Sequence, residues 1–192
     1  MASGAFAAAA ASGCGAVAKP IEDGLSPRLL RQAMAALGAH RRRLAHTDRI
    51  GIVDFSRPSS TPRLFVVDTG AGTAQAHLVA HGRGSDPAHT GWARRFSNEP
   101  GSFASSVGAF ATGAQYSGGH GRSMRLAGLD PGNCNAEKRA IVVHAAWYVT
   151  PQIATRTGML GRSEGCFAVS RASLDLVINQ LGGGRLIYAA GA

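Results

Sequence analysis

Residues Ala140 to His144 read AIVVH, and residues Gly161 to Val169 read GRSEGCFAV. The first is a continuous apolar run of strand length that ends in an imidazole. It predicts a buried central strand whose last side chain emerges at the strand end. The second puts Cys166 in a turn between two regular elements. Gly165 frees the backbone beside the thiol and lets a substrate come close. N–H groups around such a turn can converge on one oxyanion. A thiol there needs a base to become a thiolate. His144, twenty-two residues upstream, has enough chain to turn back beside it. Taken alone, a Cys and a His in one chain are more often a small buried residue and a packed histidine.

Working outward, Ser170 reads as the N-cap of a helix through Leu181, with Leu174, Val177, Ile178 and Leu181 on one face. Gly182-Gly183-Gly184 stops it, and Arg185 to Ala190 (RLIYAA) is a last strand. A short helix is expected over Gln152 to Thr157. Upstream, Ile50 to Phe55, Arg63 to Asp68 and Ala74 to Ala80 read as strands, the last two joined by a turn at Thr69–Gly72. Gly108 to Thr112 and Met124 to Leu129 are weaker strand patterns. His81 to about Ser106 is a long polar loop, and loops of that length in a compact domain carry function or lack order. Before the strands, Ser26 and Pro27 open a helix, with Leu29, Leu30, Ala33, Met34, Leu37 and Leu44 at helical spacing through about His46. Arg41-Arg42-Arg43 then reads as its solvated end.

Composition agrees with one soluble domain. The chain has 192 residues, 45% hydrophobic and 16% charged, with 26 glycines and few aromatics, which favours strands and turns over a helical bundle. No run of about 18 apolar residues occurs to form a transmembrane helix. The net charge of +9 suits an anionic partner: nucleic acid, an anionic membrane surface or a carboxylate-rich wall polymer. No nucleic-acid motif accompanies it. Three cysteines, Cys14, Cys134 and Cys166, do not make a disulfide framework, although Cys14 and Cys134 could pair. The Ala-rich stretch Ala5–Ala11 reads either as a flexible tail or as the remnant of an export signal.

The separated motifs then fall into one pattern. They are His81-Gly82-Arg83; Ser97–Ser102 (SNEPGS); Ser105–Phe110; Thr112-Gly113; Tyr116; Gly118–Ser123 (GGHGRS); Leu126–Asp130 (LAGLD); Arg139–His144; and Gly161–Cys166. With them, the segment from about Asp54 to Leu181 resembles the murein L,D-transpeptidase catalytic domain. The resemblance implies an α+β, β-dominated YkuD-like fold, a mixed β-sandwich or barrel with a few peripheral helices. The division expected is a tail over 1–25, an N-terminal helix over 26–48 and a catalytic domain over 49–192.

It also implies a role for each matching residue. Cys166 is the nucleophile and His144 its base, oriented by the backbone carbonyl of Ala145. The N–H groups of Gly165 and Cys166 would hold the oxyanion. The partner is a peptidoglycan stem peptide, cut at its terminal D-Ala to leave a thioacyl-enzyme. An amine then gives a 3→3 cross-link, or water gives L,D-carboxypeptidase activity. No cofactor, metal or nucleic acid is called for, and a wall substrate implies the periplasm or cell envelope. Ser163, Arg162, His120, Arg122, Tyr116 and His81 are the expected substrate-side residues, arginines because they pair with carboxylates in bidentate fashion. Trp92 and Trp147 are expected to pack. Two positions depart from the broader family: Glu164 stands where a second His precedes Gly-Cys, and Ala145 replaces a Gly.

Two other readings use the same residues. His77, His81, His89, His120 and His144 could supply zinc ligands, with His77 and His81 four apart on one strand face, but no HExxH spacing accompanies them. A wall-binding module without activity would have no need of the Cys166 and His144 pair.

Overall fold

The computed structural model describes residues 18–21 and 24–191. In chain order the elements are β1 (Lys19–Pro20), α1 (Pro27–Ala39), β2 (Arg49–Asp54), β3 (Leu64–Asp68), β4 (Thr73–His77) and β5 (Val79–Ala80). They continue with β6 (Gly108–Gly118), β7 (Gly121–Gly128), β8 (Val142–Ala145), α2 (Pro151–Thr157), β9 (Phe167–Val169), α3 (Arg171–Leu181) and β10 (Leu186–Ala190). The tail's Ala-rich stretch and Cys14 lie outside the described residues.

The ten strands of the described residues form one mixed sheet in the order β1-β4-β3-β2-β10-β6-β7-β8-β9-β5. The β10–β2 and β8–β9 pairs are parallel; the others are antiparallel. The order has two ends, so the sheet is not closed into a barrel. It curls instead. The expected strand Ala74–Ala80 breaks at Leu78: β4 pairs near one end of the sheet and β5 at the other. A chain segment that passes directly between the two ends forces them together, as corner strands do in orthogonal packings. Phe55, just after β2, therefore stacks on Phe167 of β9 with ring centroids 6.0 Å apart.

Strand periodicity shares β2 between two cores. Ile50 and Ile52 face α1 and join Leu29, Ala33 and Leu37. Val53 and Phe55 face the concave side with Leu174, Val177, Ile178 and Leu181 of α3. Gly51 lies beneath α3 so closely that a Cβ there would come within 2.9 Å of Leu181 Cδ1. Helix α1 thus completes the core of the sheet. It ends at Ala39, seven residues short of the expected stop, because the chain turns to hydrogen-bond His40 to Asp130 (2.8 Å) and to bury Leu44. Ser26 caps it without a side-chain bond, whereas Ser170 Oγ accepts from the Ser173 N–H at 3.1 Å at the start of α3.

The weak strand patterns at 108–112 and 124–129 are ends of a long hairpin, β6–β7, with a bulge between Thr112 and Gln115 and a tip at Gly118–Gly121. β8 lies inside the sheet between β7 and β9, nearer one end than the expected central position.

Candidate active site

Three segments converge on Cys166. β8 carries His144, paired in register with Ala168 of the parallel strand β9, which starts one residue after Cys166. The β6–β7 tip reaches over from the other side, and the His120 ring stacks on His144 with centroids 4.3 Å apart and planes 23° from parallel. The loop around Phe103 closes the rim. Together they line a cleft of about 420 Å³ that contains His144, Cys166, His120, Tyr148, Arg162 and Ser163, with Lys138, Arg139 and Glu164 at its edge.

His144 is buried, and its Nδ1–H donates to the Ala145 carbonyl at 2.9 Å. A carbonyl only accepts, so this bond fixes the tautomer and leaves Nε2 with its lone pair. Burial, chiefly, and the neighbouring His120 push the imidazole below its usual range, against the pull of the Ala145 bond. Cys166 is partly buried. Its Sγ–H donates to the Ala140 carbonyl at 3.6 Å, and Ala140 holds a left-handed φ of 52° to present that oxygen. Burial pushes the thiol up, and the Glu164 carboxylate adds to this; the Val142 N–H and the Arg139 guanidinium oppose it. Both shifts favour the uncharged forms, a thiol and an imidazole lining one cleft, the state from which general-base activation starts.

The turn before Cys166 is built by Ser163 and Gly165. Gly165 has φ +116°, and a Cβ there would come within 2.8 Å of the Ala104 carbonyl. Ser163 is buried; its Oγ–H donates to the Cys166 carbonyl at 2.7 Å and accepts the Gly165 N–H at 3.2 Å. That N–H is engaged inside the turn, which corrects the expectation that it is free for an oxyanion. Ser163 also receives support from below: its N–H donates to His81 O, and its carbonyl accepts the Arg83 N–H.

Of the other expected site residues, some lie elsewhere. His81 is 1% exposed, so it cannot touch a substrate in the cleft. Its Nδ1 accepts from Arg63 at 2.8 Å and its Nε2–H faces Asp86 at 3.4 Å. Arg63 is itself fully buried, stacked over Phe55, and donates to the Val79 and Arg57 carbonyls. His81 is thus the floor under Ser163. Tyr116 sits on β6 beneath the Arg125 guanidinium, 4.7 Å away, and does not line the cleft. Arg122 spends its fork on this chain's own groups: Asp175, Gln115 Oε1 (2.8 Å) and Asn179 Oδ1 (2.6 Å). It lines an adjoining depression that reaches His144 and His120 from the other side. Arg162 donates to the Asp86 and Pro87 carbonyls and still lines the Cys166 cleft. His77 and His81 do not share a ligand face: His77 Nδ1 meets Ser173 Oγ, on the far side of the Leu78 corner. Trp147, expected to pack, is 75% exposed beside the adjoining depression.

The sequence reading takes Arg139 only as the start of the Arg139–His144 motif and gives it no role, whereas its guanidinium lies against the Cys166 turn. It follows Glu137 and Lys138 in a surface-like run, and only its position directly before the AIVVH strand could have drawn notice. Glu164, the departure next to the thiol, is exposed and pairs with Arg83 at 3.2 Å.

A family model for the L,D-transpeptidase catalytic domain matches residues 21–190. The chain belongs to this family. The match takes in α1 as well as the sheet. Solved structures similar to the domain include an L,D-transpeptidase from Mycobacterium smegmatis, at 13% identity and a TM-score of 0.45 over 74% of this chain and 58% of that one. Another is an L,D-transpeptidase from Xylanimonas cellulosilytica, at 17% identity and TM-score 0.44 over 83% of this chain and 69% of that one. A third is the helical cell shape determining protein Pgp2 from Campylobacter jejuni, at 10% identity and TM-score 0.44 over 87% and 57%. The domain thus spans about 58% of the length of the Mycobacterium smegmatis protein. A search of curated proteins found no match. No helix among the described residues is long and apolar enough to cross a membrane.

Proposed function

We propose that this domain is a peptidoglycan L,D-transpeptidase in which Cys166 is the nucleophile and His144 the base. The observation that carries the reading is the shared cleft, in which an imidazole of fixed tautomer on β8 meets a thiol in the turn that leads into the adjacent parallel strand β9. His144 Nε2 takes the proton from Cys166 Sγ. The thiolate attacks the carbonyl carbon that joins the third residue of a tetrapeptide stem to its terminal D-Ala. The Cys166 N–H is the remaining turn donor for the oxyanion. Collapse expels D-Ala, whose amine receives the proton from His144, and a thioester remains. An amine of a neighbouring stem then gives its proton to His144, attacks the thioester and forms the 3→3 cross-link, and the thiolate leaves. Lys138, Arg139 and Arg162 outnumber Glu164 around the cleft, which suits a stem that carries carboxylates. Such a substrate places the enzyme's work in the periplasm or cell envelope.

The test is incubation of wild type and Cys166→Ala with disaccharide-tetrapeptide, followed by mass spectrometry of the products. Wild type is expected to release D-Ala and form 3→3 dimers, and the variant to do neither. Tripeptide without dimer would make the enzyme an L,D-carboxypeptidase working through the same thioester. Turnover by Cys166→Ala would sink the mechanism.

A further inference from the structure

Arg139 joins the loop around Ala104 to the Cys166 turn. Its Nη1 donates to the Ser97 carbonyl and to Ser106 Oγ, each at 2.6 Å, and its Nη2 donates to the Ala104 carbonyl. The fork therefore clamps the segment from Ser97 to Ser106 across more than thirty residues of sequence. A Cβ on Gly165 would lie 3.1 Å from Nη2 and 2.8 Å from the Ala104 oxygen that Nη2 holds, so guanidinium, clamped loop and nucleophile turn meet at one point. The next residue, Ala140, presents the carbonyl that accepts the Cys166 Sγ–H.

We propose that Arg139 is a positioning residue that fixes the loop against the Cys166 turn and supplies the fixed positive charge against which the thiolate forms. An arginine suits both tasks, because its planar fork spans several acceptors and its charge survives burial. A cation beside a partly desolvated thiol favours the thiolate. The other ionisable groups lining the cleft are His144, His120, Tyr148, Lys138, Arg162 and Glu164. Among the groups that bear on the thiol, Glu164 opposes the thiolate and Arg139 favours it. Glu164, two residues before the thiol, and Arg139 thus act on it in opposite senses. The inference rests on Cys166 being the reactive thiol and is independent of the substrate.

The experiment is the rate of Cys166 alkylation by iodoacetamide, read at the modified peptide, from about pH 6 to about pH 11. It uses wild type, Arg139→Gln and Arg139→Lys, with circular dichroism as the check on folding. In Arg139→Gln the inflection is expected to rise by about one unit, which lowers the rate at neutral pH about tenfold while the alkaline plateau stays in place. Arg139→Lys keeps the charge and loses the fork. Its inflection is expected to stay at the wild-type value while amides of residues 97–106 exchange faster with deuterium. An unmoved inflection in Arg139→Gln overturns the proposal, as does an inflection in Arg139→Lys raised as far as in the Gln variant. If Arg139→Gln does not fold, the Lys variant decides alone: a held inflection supports the charge role and a one-unit rise overturns it. Turnover of disaccharide-tetrapeptide by Cys166→Ala would instead count against the nucleophile assignment itself.

Discussion

His144 has one ring nitrogen committed to the Ala145 carbonyl and one lone pair left over. With burial holding the ring below the ordinary histidine range, protonation of His144 should inactivate the enzyme only in acid. The expected acid limb of kcat/KM for D-Ala release inflects below about 6.5, the unperturbed histidine value. A pH–rate profile checks this, and an inflection above that value would remove His144 as base. Gly165 is constrained as tightly: at φ +116° with the Ala104 oxygen in the way, Gly165→Ala is expected to cost roughly 1–3 kcal/mol of stability. Its larger effect falls on the thiol, with D-Ala release reduced on the order of a hundredfold as the turn shifts; steady-state kinetics and urea unfolding separate the two. That Cys166 and His144 share one cleft was legible in the sequence because an apolar strand ending in His and a Gly-Cys turn are local signals. The roles of Arg139 and His81 were not. Nothing in the run EKRA marks a side chain that folds inward to three acceptors, and His81 owes its burial to Arg63, eighteen residues away.

Among the elements, α3 and β10 were readable with little error. Ser170 supplies a true cap, the apolar residues repeat at helical spacing, and three glycines end the helix. The β6–β7 hairpin was not readable beyond its ends. GAQYSG is too polar to alternate, and the bulge after Thr112 breaks its register; the strands persist because they pair with each other. That hairpin tip is what brings His120 to His144. The seam between α3 and β2 gives a third prediction. Ile178 is fully buried in the concave core, so Ile178→Ala is expected to destabilise the domain by about 2–5 kcal/mol, read as a lower urea midpoint with unchanged slope. An effect below about 1 kcal/mol would mean α3 does not fill the curled sheet as described.

At the scale of the whole molecule, the curl depends on buried polar groups that were hidden from a one-dimensional reading. Arg63, His81 and Asp86 form one buried network, and His77 meets Ser173 across the Leu78 corner. Burial lowers both imidazoles from 6.5 to about 4. In that window the unfolded chain binds protons that the folded chain refuses. Stability is therefore full above about pH 6.5 and is lost as pH falls toward about 4, by up to about 1.4 kcal/mol per pH unit for each ring. Urea titrations across that range check the sign. His81→Gln should flatten the slope, and a slope unchanged by it would place the proton uptake elsewhere.

The central claim is that Cys166 carries the acyl group, and intact-protein mass spectrometry tests it most directly. Wild-type domain incubated with disaccharide-tetrapeptide and quenched in acid is expected to gain the mass of the donor less one alanine. The adduct should map to the peptide holding Cys166 and disappear in hydroxylamine. Turnover with the adduct on another residue, or turnover undiminished in Cys166→Ala, would contradict the account.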